Sequence, residues 1–246
     1  MLGRRRTRMR FEAPVVRGTL VRRYKRFLAD VVLQDGMQTT VHCPNTGSML
    51  GCRTPGSTVW LLPASNPARK YRLGWELVEV DSGVLVGINT GRSNALVAEA
   101  LDRGMIPELA GYENVRREVK APGTRSRIDF LLEGHPEDPD CYLEVKNVTA
   151  AAGGGVAFFP DAVSTRAVRH VEELARRVAC GQRSAICFCV QRADVRAVQP
   201  ADGIDPAYGR ALRRAVASGV EAFALRADVT TTGVRLEHRI PVELHS

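Results

Sequence analysis

"SRIDFLLEGHPEDPDCYLEVKNV", residues 126–148, sets an aspartate, a glutamate and a lysine into two adjoining apolar segments. Alternate residues of a strand point to opposite faces, so the first segment divides into Ile128, Phe130 and Leu132 against Arg127, Asp129 and Leu131. The second divides into Cys141, Leu143 and Val145 against Tyr142, Glu144 and Lys146. Pairing the two as an antiparallel hairpin through "EGHPEDPD", with one apolar face as core, brings Asp129, Glu144 and Lys146 together on the other face. "VRREVK" predicts a strand just before them, and its Glu118 is a further candidate for the same face.

Carboxylates held close repel one another and hold their protons more tightly unless a cation lies between them. Oxygen-only ligation suits Mg2+ or Mn2+, which take one or two carboxylates and keep several waters. A lysine beside an ion-activated water would favour its ionisation and hold it for attack on phosphorus. The competing reading is a solvent-facing ion pair of Glu144 with Lys146 or Arg127, which is common and contributes little. An aspartate, a variable gap and Glu-x-Lys form a short motif, so both readings stay open at this point.

Outward from this stretch, the first third reads as short strands with turns between them: "RFLADVVL", "TTVHC", "STVWLLP", "WELVEV" and "VLVGIN". That rhythm predicts a small antiparallel barrel. Near residue 90 the pattern changes to a helix, "SNALVAEALDRG", with Asn94 as its candidate cap. The expected division is therefore 1–90 and 91–246. The three strands follow, then the glycines 153–155 and a helix over "STRAVRHVEELARRVACG" with Val168, Val171, Leu174, Ala175 and Val178 as its inner stripe. "SAICFCV" predicts a strand buried on both faces, "DPAYGRALRRAV" a helix capped by Asp205, and "EAFALRADVTTTGVRLEH" a closing hairpin. Asp161 is expected to cap the long helix or reach the ion.

The net charge of +8 favours a polyanionic partner, although 31 arginines against four lysines can also reflect genome composition. In "RRYKRF", alternation turns Phe27 to the barrel core and leaves Arg22, Arg23, Lys25 and Arg26 to face phosphate. Thr46 and Ser48 in "HCPNTGSM" are candidate phosphate donors, as are Arg127 and, with His170 on the polar side of the long helix, Arg166 and Arg169; a solvated helix face is the default for that side. The cysteines lack paired metal spacing and are expected to be reduced; a zinc site of His42, Cys43 and Cys52 is the weaker option.

No apolar run reaches the roughly 20 residues that a membrane-spanning helix needs. Glu12 and Pro14 stand where a signal peptide would be apolar, so a cytoplasmic protein is expected. Met9 is an alternative start, which would leave residues 1–8 as a spurious extension or a disordered basic arm.

The Asp…Glu-x-Lys motif in the order helix, three-strand meander, helix, strand resembles the PD-(D/E)XK nuclease core. More specifically, the chain resembles the sugar fermentation stimulation protein family, SfsA. "RRYKRFLADV", "HCPNTGSMLGC", "IPELAGY", "SRIDFLL", "YLEVKNVT", "FPDAVSTRAVRHVEEL" and "DPAYGRAL" carry the likeness along nearly the whole chain. It implies an α+β or α/β architecture: an N-terminal OB-like barrel, then a PD-(D/E)XK nuclease-like domain with a mixed sheet flanked by helices. It also implies DNA binding and a metal-dependent phosphodiesterase site, with Asp129 matching the family's aspartate and Glu144 and Lys146 filling its Glu-x-Lys pair. Ile128 stands where the motif's name has proline. Glu99, in the preceding helix, is a further candidate ligand by likeness to related nucleases, with a solvated glutamate as the default. The expected function is cleavage of DNA or RNA with Mg2+ or Mn2+. The alternative is a non-catalytic DNA-binding protein regulating sugar (maltose) metabolism, and a homodimer is left open.

Overall fold

The computed structural model describes residues 9–120, Gly123 and 127–245. The basic arm expected at 1–8 lies outside the described residues. After β1 (Met9–Arg10), which joins a later sheet, come β2 (Val16–Tyr24), β3 (Leu28–Leu33), β4 (Gln38–His42), β5 (Thr58–Pro63) and β6 (Leu73–Val80). These five form a barrel in the order β4-β3-β2-β5-β6, closed where His42 pairs with Gly74, and β7 (Val84–Gly87) extends the β6 side. Inward residues at alternate positions, among them Leu20, Val31, Val41, Val59, Leu61 and Trp75, make its core.

Two expectations for the barrel need correction. Val16–Tyr24 is a strand, and "RFLADVVL" begins as one only at Leu28. Residues 25–27 turn the chain, with Lys25 at φ +49° and Arg26 at φ +65°, so alternation breaks there. Phe27 therefore lies outside, 46% exposed, rather than in the core.

The second unit opens with α1 (Ser93–Asp102), β8 (Asn114–Lys120), β9 (Arg127–Glu133) and β10 (Cys141–Val148). The hairpin β11 (Ala151–Ala152) and β12 (Val156–Phe159) turns through the glycines, and α2 (Thr165–Ala179), β13 (Arg183–Val190), β14 (Ala197–Pro200) and α3 (Pro206–Ala217) follow. β15 (Glu221–Thr230) and β16 (Gly233–Ile240) close the chain as an antiparallel hairpin. The main sheet runs β1-β16-β15-β13-β10-β9-β8 with β10, β13 and β15 parallel, while β12 and β14 pair in a small sheet with β11. Ser164 caps α2 and Asp205 caps α3, each through a side chain accepting a backbone N–H. Asn94 is no cap: α1 continues a short helical turn from Thr90, and Asn94 lies inside its first turn.

The expectation of a single core face is also corrected. Phe130, Leu132, Leu143 and Val145 pack with α1 residues such as Leu96 and Val97, while Leu131 and Tyr142 on the other face pack with Val171, Leu174 and Leu212 from α2 and α3. Ile128 joins this second cluster rather than the first. Both faces of β10 and of the second half of β9 are thus covered, as β13 is on both of its own faces, while β8 stays exposed.

Candidate active site

β9 and β10 pair at Cys141 with Leu132, Tyr142 with Leu131 and Leu143 with Phe130, and there the backbone pairing stops. The next pair in that register would be Asp129 with Glu144. β8 and β9 lapse at the same level: Arg117 pairs with Phe130 and Val119 with Ile128, and between them Glu118 stands opposite Asp129 at φ +53°. A left-handed glutamate within a strand is a costly conformation, and such residues concentrate at functional sites. One row thus crosses three strands as Glu118, Asp129 and Glu144, where the sheet splays.

Asp129 is fixed from two sides. Its Oδ2 accepts the N–H of Val145 at 2.8 Å, replacing the lapsed ladder, and its Oδ1 accepts from Asn94 Nδ2 at 2.8 Å. Asn94 also lies 3.4 Å from Glu118 Oε1, so α1 ties the row together. Burial, then the charge of Glu144, holds the Asp129 carboxyl above the usual carboxylate range.

Glu144 and Lys146 point from β10 toward α2, at 4% and 8% exposure. Lys146 Nζ donates to Glu144 Oε1 at 2.6 Å, so the pair exists but is buried rather than solvent-facing. His170 of α2 contacts the same oxygen through Nδ1, and its Nε2 lies 3.4 Å from Arg166 Nε. Burial pushes the Glu144 carboxyl up, but the Lys146 charge and the His170 hydrogen bond outweigh it, so the net direction is down. Tyr208, fully buried on α3, has its phenol pushed well up by burial and then by Glu144 and Asp205, so it stays protonated and is no base.

A cleft of about 480 Å³ opens over these groups, lined by Glu118, Arg127, Asp129, Glu144, Arg166, Arg169 and His170. Among the described residues, no three His, Cys, Asp or Glu side chains already stand together as a metal cage, at this row or at His42, Cys43 and Cys52. Glu118 lines the cleft; Glu99 does not, because its carboxylate faces Arg235 at 3.3 Å and Arg103 at 3.9 Å. The donor chemistry nonetheless fits one hard cation. Two carboxylates of neighbouring strands face one cleft, burial and then the charge of Glu144 raise the pKa of Asp129, and Glu144 Oε2 has no hydrogen-bond partner among the described residues.

His170, expected with Arg166 and Arg169 on the polar side of α2, instead turns inward to Glu144. The other expected groups divide. Arg166 and Arg169 line the cleft, as does Arg127 at its β9 edge. Arg22 is exposed and pairs with Asp30, while Lys25 is exposed at the turn. Arg23 is committed to the protein itself, donating to the carbonyls of Arg26, Asn45 and Gly47, and Arg26 donates to the carbonyl of Thr46. Ser48 is committed too, donating to the Asp161 carbonyl at 2.7 Å. Asp161 neither caps α2 nor lines the cavities that Glu144 lines; its carboxylate accepts from Met49 N–H and fastens the 44–49 loop to the second unit. The six cysteines are free thiols.

Comparison with known proteins agrees with this architecture. Residues 21–88 match the family model described as the SfsA N-terminal OB domain, and residues 91–233 match the sugar fermentation stimulation protein RE (restriction endonuclease-like) domain. The sugar fermentation stimulation protein homolog of Alkalilimnicola ehrlichii is 57% identical over 235 residues, covering 95% of this chain and 99% of that one. The homolog of Halorhodospira halophila is 55% identical, covering 95% and 98%. Pyrococcus furiosus SfsA, solved in complex with Ca2+, superposes with a TM-score of 0.86 at 25% identity over 96% of this chain and 99% of that one. No helix among the described residues is long and apolar enough to cross a membrane. With an OB barrel leading into a restriction endonuclease-like domain along nearly its full length, this chain belongs to the SfsA family.

Proposed function

We propose that the protein is a nucleic-acid-binding, metal-dependent nuclease that hydrolyses phosphodiester bonds of DNA or RNA. In this reading 1–90 serves as the binding barrel and 91–246 as the hydrolase. The observation that carries it is the meeting of Asp129, Glu144 and Lys146 at the point where the pairing of β9 with β10 stops and that of β8 with β9 is interrupted, under a cleft edged by Arg127, Arg166 and Arg169. A buried lysine on a buried glutamate, with an unbonded carboxylate oxygen left over, is a costly arrangement for mere stability.

Asp129 and Glu144 would hold the ion, with Glu118 beside them on β8. Mg2+ or Mn2+ fits their oxygen chemistry, and the Ca2+ of the Pyrococcus furiosus relative supports a divalent site. The bound ion would supply Lewis acidity at the phosphoryl group. Lys146 would hold the attacking water by hydrogen bonding and favour its loss of a proton, and the Val145 N–H and Asn94 would keep Asp129 in one orientation. His170 would hold Glu144 from α2. Arg127, Arg166 and Arg169 would engage the flanking phosphates.

One observation favours a second reading. Glu144 Oε1 is already paired with Lys146 and in contact with His170, so the row can rest without an ion, as a non-catalytic nucleic-acid-binding regulator would require. Incubation of the purified chain with labelled nucleic acids and Mg2+ or Mn2+ separates the two: metal-dependent cleavage supports the first, and binding without cleavage the second.

A further inference from the structure

A larger cavity, about 620 Å³, opens where the barrel meets residues 89–92, and it shares no lining residue with the Asp129 cleft. Its wall includes Arg69, Lys70 and Tyr71, from the connection between β5 and β6. These are the fourth and fifth strands of the barrel, and OB folds use that loop for oligonucleotides. Tyr71 is half-buried and carries the Lys70 ammonium 5.6 Å from its ring centre.

Arg92 supplies a second element of this wall. Its Nε donates to Glu76 Oε2 at 2.7 Å, Asn89 donates to the other oxygen at 2.8 Å, and the guanidinium lies 5.1 Å from the Phe11 ring centre. Glu76 is buried, so Arg92 is gripped along one edge. Its two Nη groups make no hydrogen bond among the described residues. A guanidinium held in one pose, with unengaged donors on a cavity wall, suits a phosphate.

Residues next in sequence to this wall line further cavities toward the carboxylates. Pro44 and Asn89 line the barrel cavity, and Thr90 Oγ1 donates to the Pro44 carbonyl at 2.9 Å. Thr90 and Asn147 line both a middle cavity against the 45–47 loop and a fourth one. That fourth cavity shares Asp129, Glu144 and His170 with the cleft.

We infer that the barrel cavity holds one nucleotide of a single strand, its base on Tyr71 and its phosphate on Arg92, and that the strand runs from there past Thr90 to Asp129 and Glu144. Away from its two ends a duplex keeps its base faces stacked internally and offers none to Tyr71. The second half of this inference rests on the nuclease reading; the first does not.

Fluorescence anisotropy in EDTA, with single-stranded oligonucleotides of about 12 bases, a blunt duplex and a free nucleoside monophosphate, tests the cavity without any cleavage. Tyr71→Ala is expected to weaken single-strand binding about tenfold and leave duplex binding unchanged, with Tyr71→Phe restoring wild-type affinity. Equal single-strand affinity in Tyr71→Ala and wild type, or a monophosphate bound as tightly as the strand, overturns the inference. A second arm repeats the comparison with Mn2+. Slower cutting of single strands by Tyr71→Ala, with duplex cutting unchanged, supports the route. Equal cutting by both proteins overturns the route alone, and Tyr71-dependent binding with no cutting by either overturns the nuclease reading together with the route.

Discussion

His170 of α2 and Glu144 of β10, 26 positions apart, meet at the carboxylate oxygen that Lys146 also holds. Glu144 thereby has two cationic or hydrogen-bonding supports on one oxygen and none among the described residues on the other. Groups that orient a ligand for an ion without binding it typically change affinity or activity by about 10–100-fold when removed. His170→Ala should therefore lower kcat by about 10–100-fold while changing KM for nucleic acid by less than about threefold. Steady-state kinetics on a chain with unchanged circular dichroism checks this, and a pure KM effect would place His170 in substrate binding instead.

In the proposed nuclease Lys146 and Glu144 would serve one reacting site, so their losses should not add. Lys146→Ala and Glu144→Ala should each reduce cleavage by about 100-fold or more, and the double variant should be no worse than Glu144→Ala. Single-turnover rates of the three proteins measure this directly.

Calcium should stabilise the second unit through Asp129 and Glu144. A ligand at about 100 times its Kd contributes about 2.7 kcal/mol, which amounts to several degrees in Tm for a unit of this size. The shift is expected in wild type and should vanish in Asp129→Ala and Glu144→Ala, as read by differential scanning calorimetry with Ca2+ and with EDTA. An equal shift in all three proteins would place the ion elsewhere.

Arg166 and Arg169 lie on the exposed rim of the cleft. Each lost phosphate contact reduces the slope of log affinity against log salt by about 0.7–0.9. The double alanine variant should therefore bind more weakly at low salt, with a slope shallower by about 1.5. Titrations at several salt concentrations show whether the slope moves.

The joint between barrel and nuclease-like unit depends on Asp161, which accepts the N–H of fully buried Met49. Asp161→Ala leaves that donor without a partner and should cost about 1–3 kcal/mol. Chemical denaturation measures the loss, and unchanged stability would mean that the 44–49 loop is held by other contacts.

The period-two patterns of 129–133 and 141–148 made the meeting of Asp129, Glu144 and Lys146 legible because alternation survives there with both faces buried, although it fails at Ile128. The depth of the site was not legible. Leu131 and Tyr142 were the signal that the face of Glu144 is also core, and α2 covers it. His170 could have been found: it lies three residues after Ala167 and four before Leu174, both buried, so the helical repeat brings it to the edge of the packed stripe. The turn at Lys25 and Arg26 was hidden because neither residue is a usual left-handed one. Asp161 preceded a helix as a cap would, and only the folded chain brings Met49 beside it. Contacts across 112 positions leave no periodic trace.

The most direct test is a cleavage time course on labelled single- and double-stranded DNA and RNA with Mg2+, Mn2+ or EDTA, comparing wild type with Glu144→Ala and Lys146→Ala. Wild type is expected to cleave only with the metal, and cleavage should disappear in both variants. Nucleic acid bound equally by all three proteins and cut by none would contradict the nuclease reading.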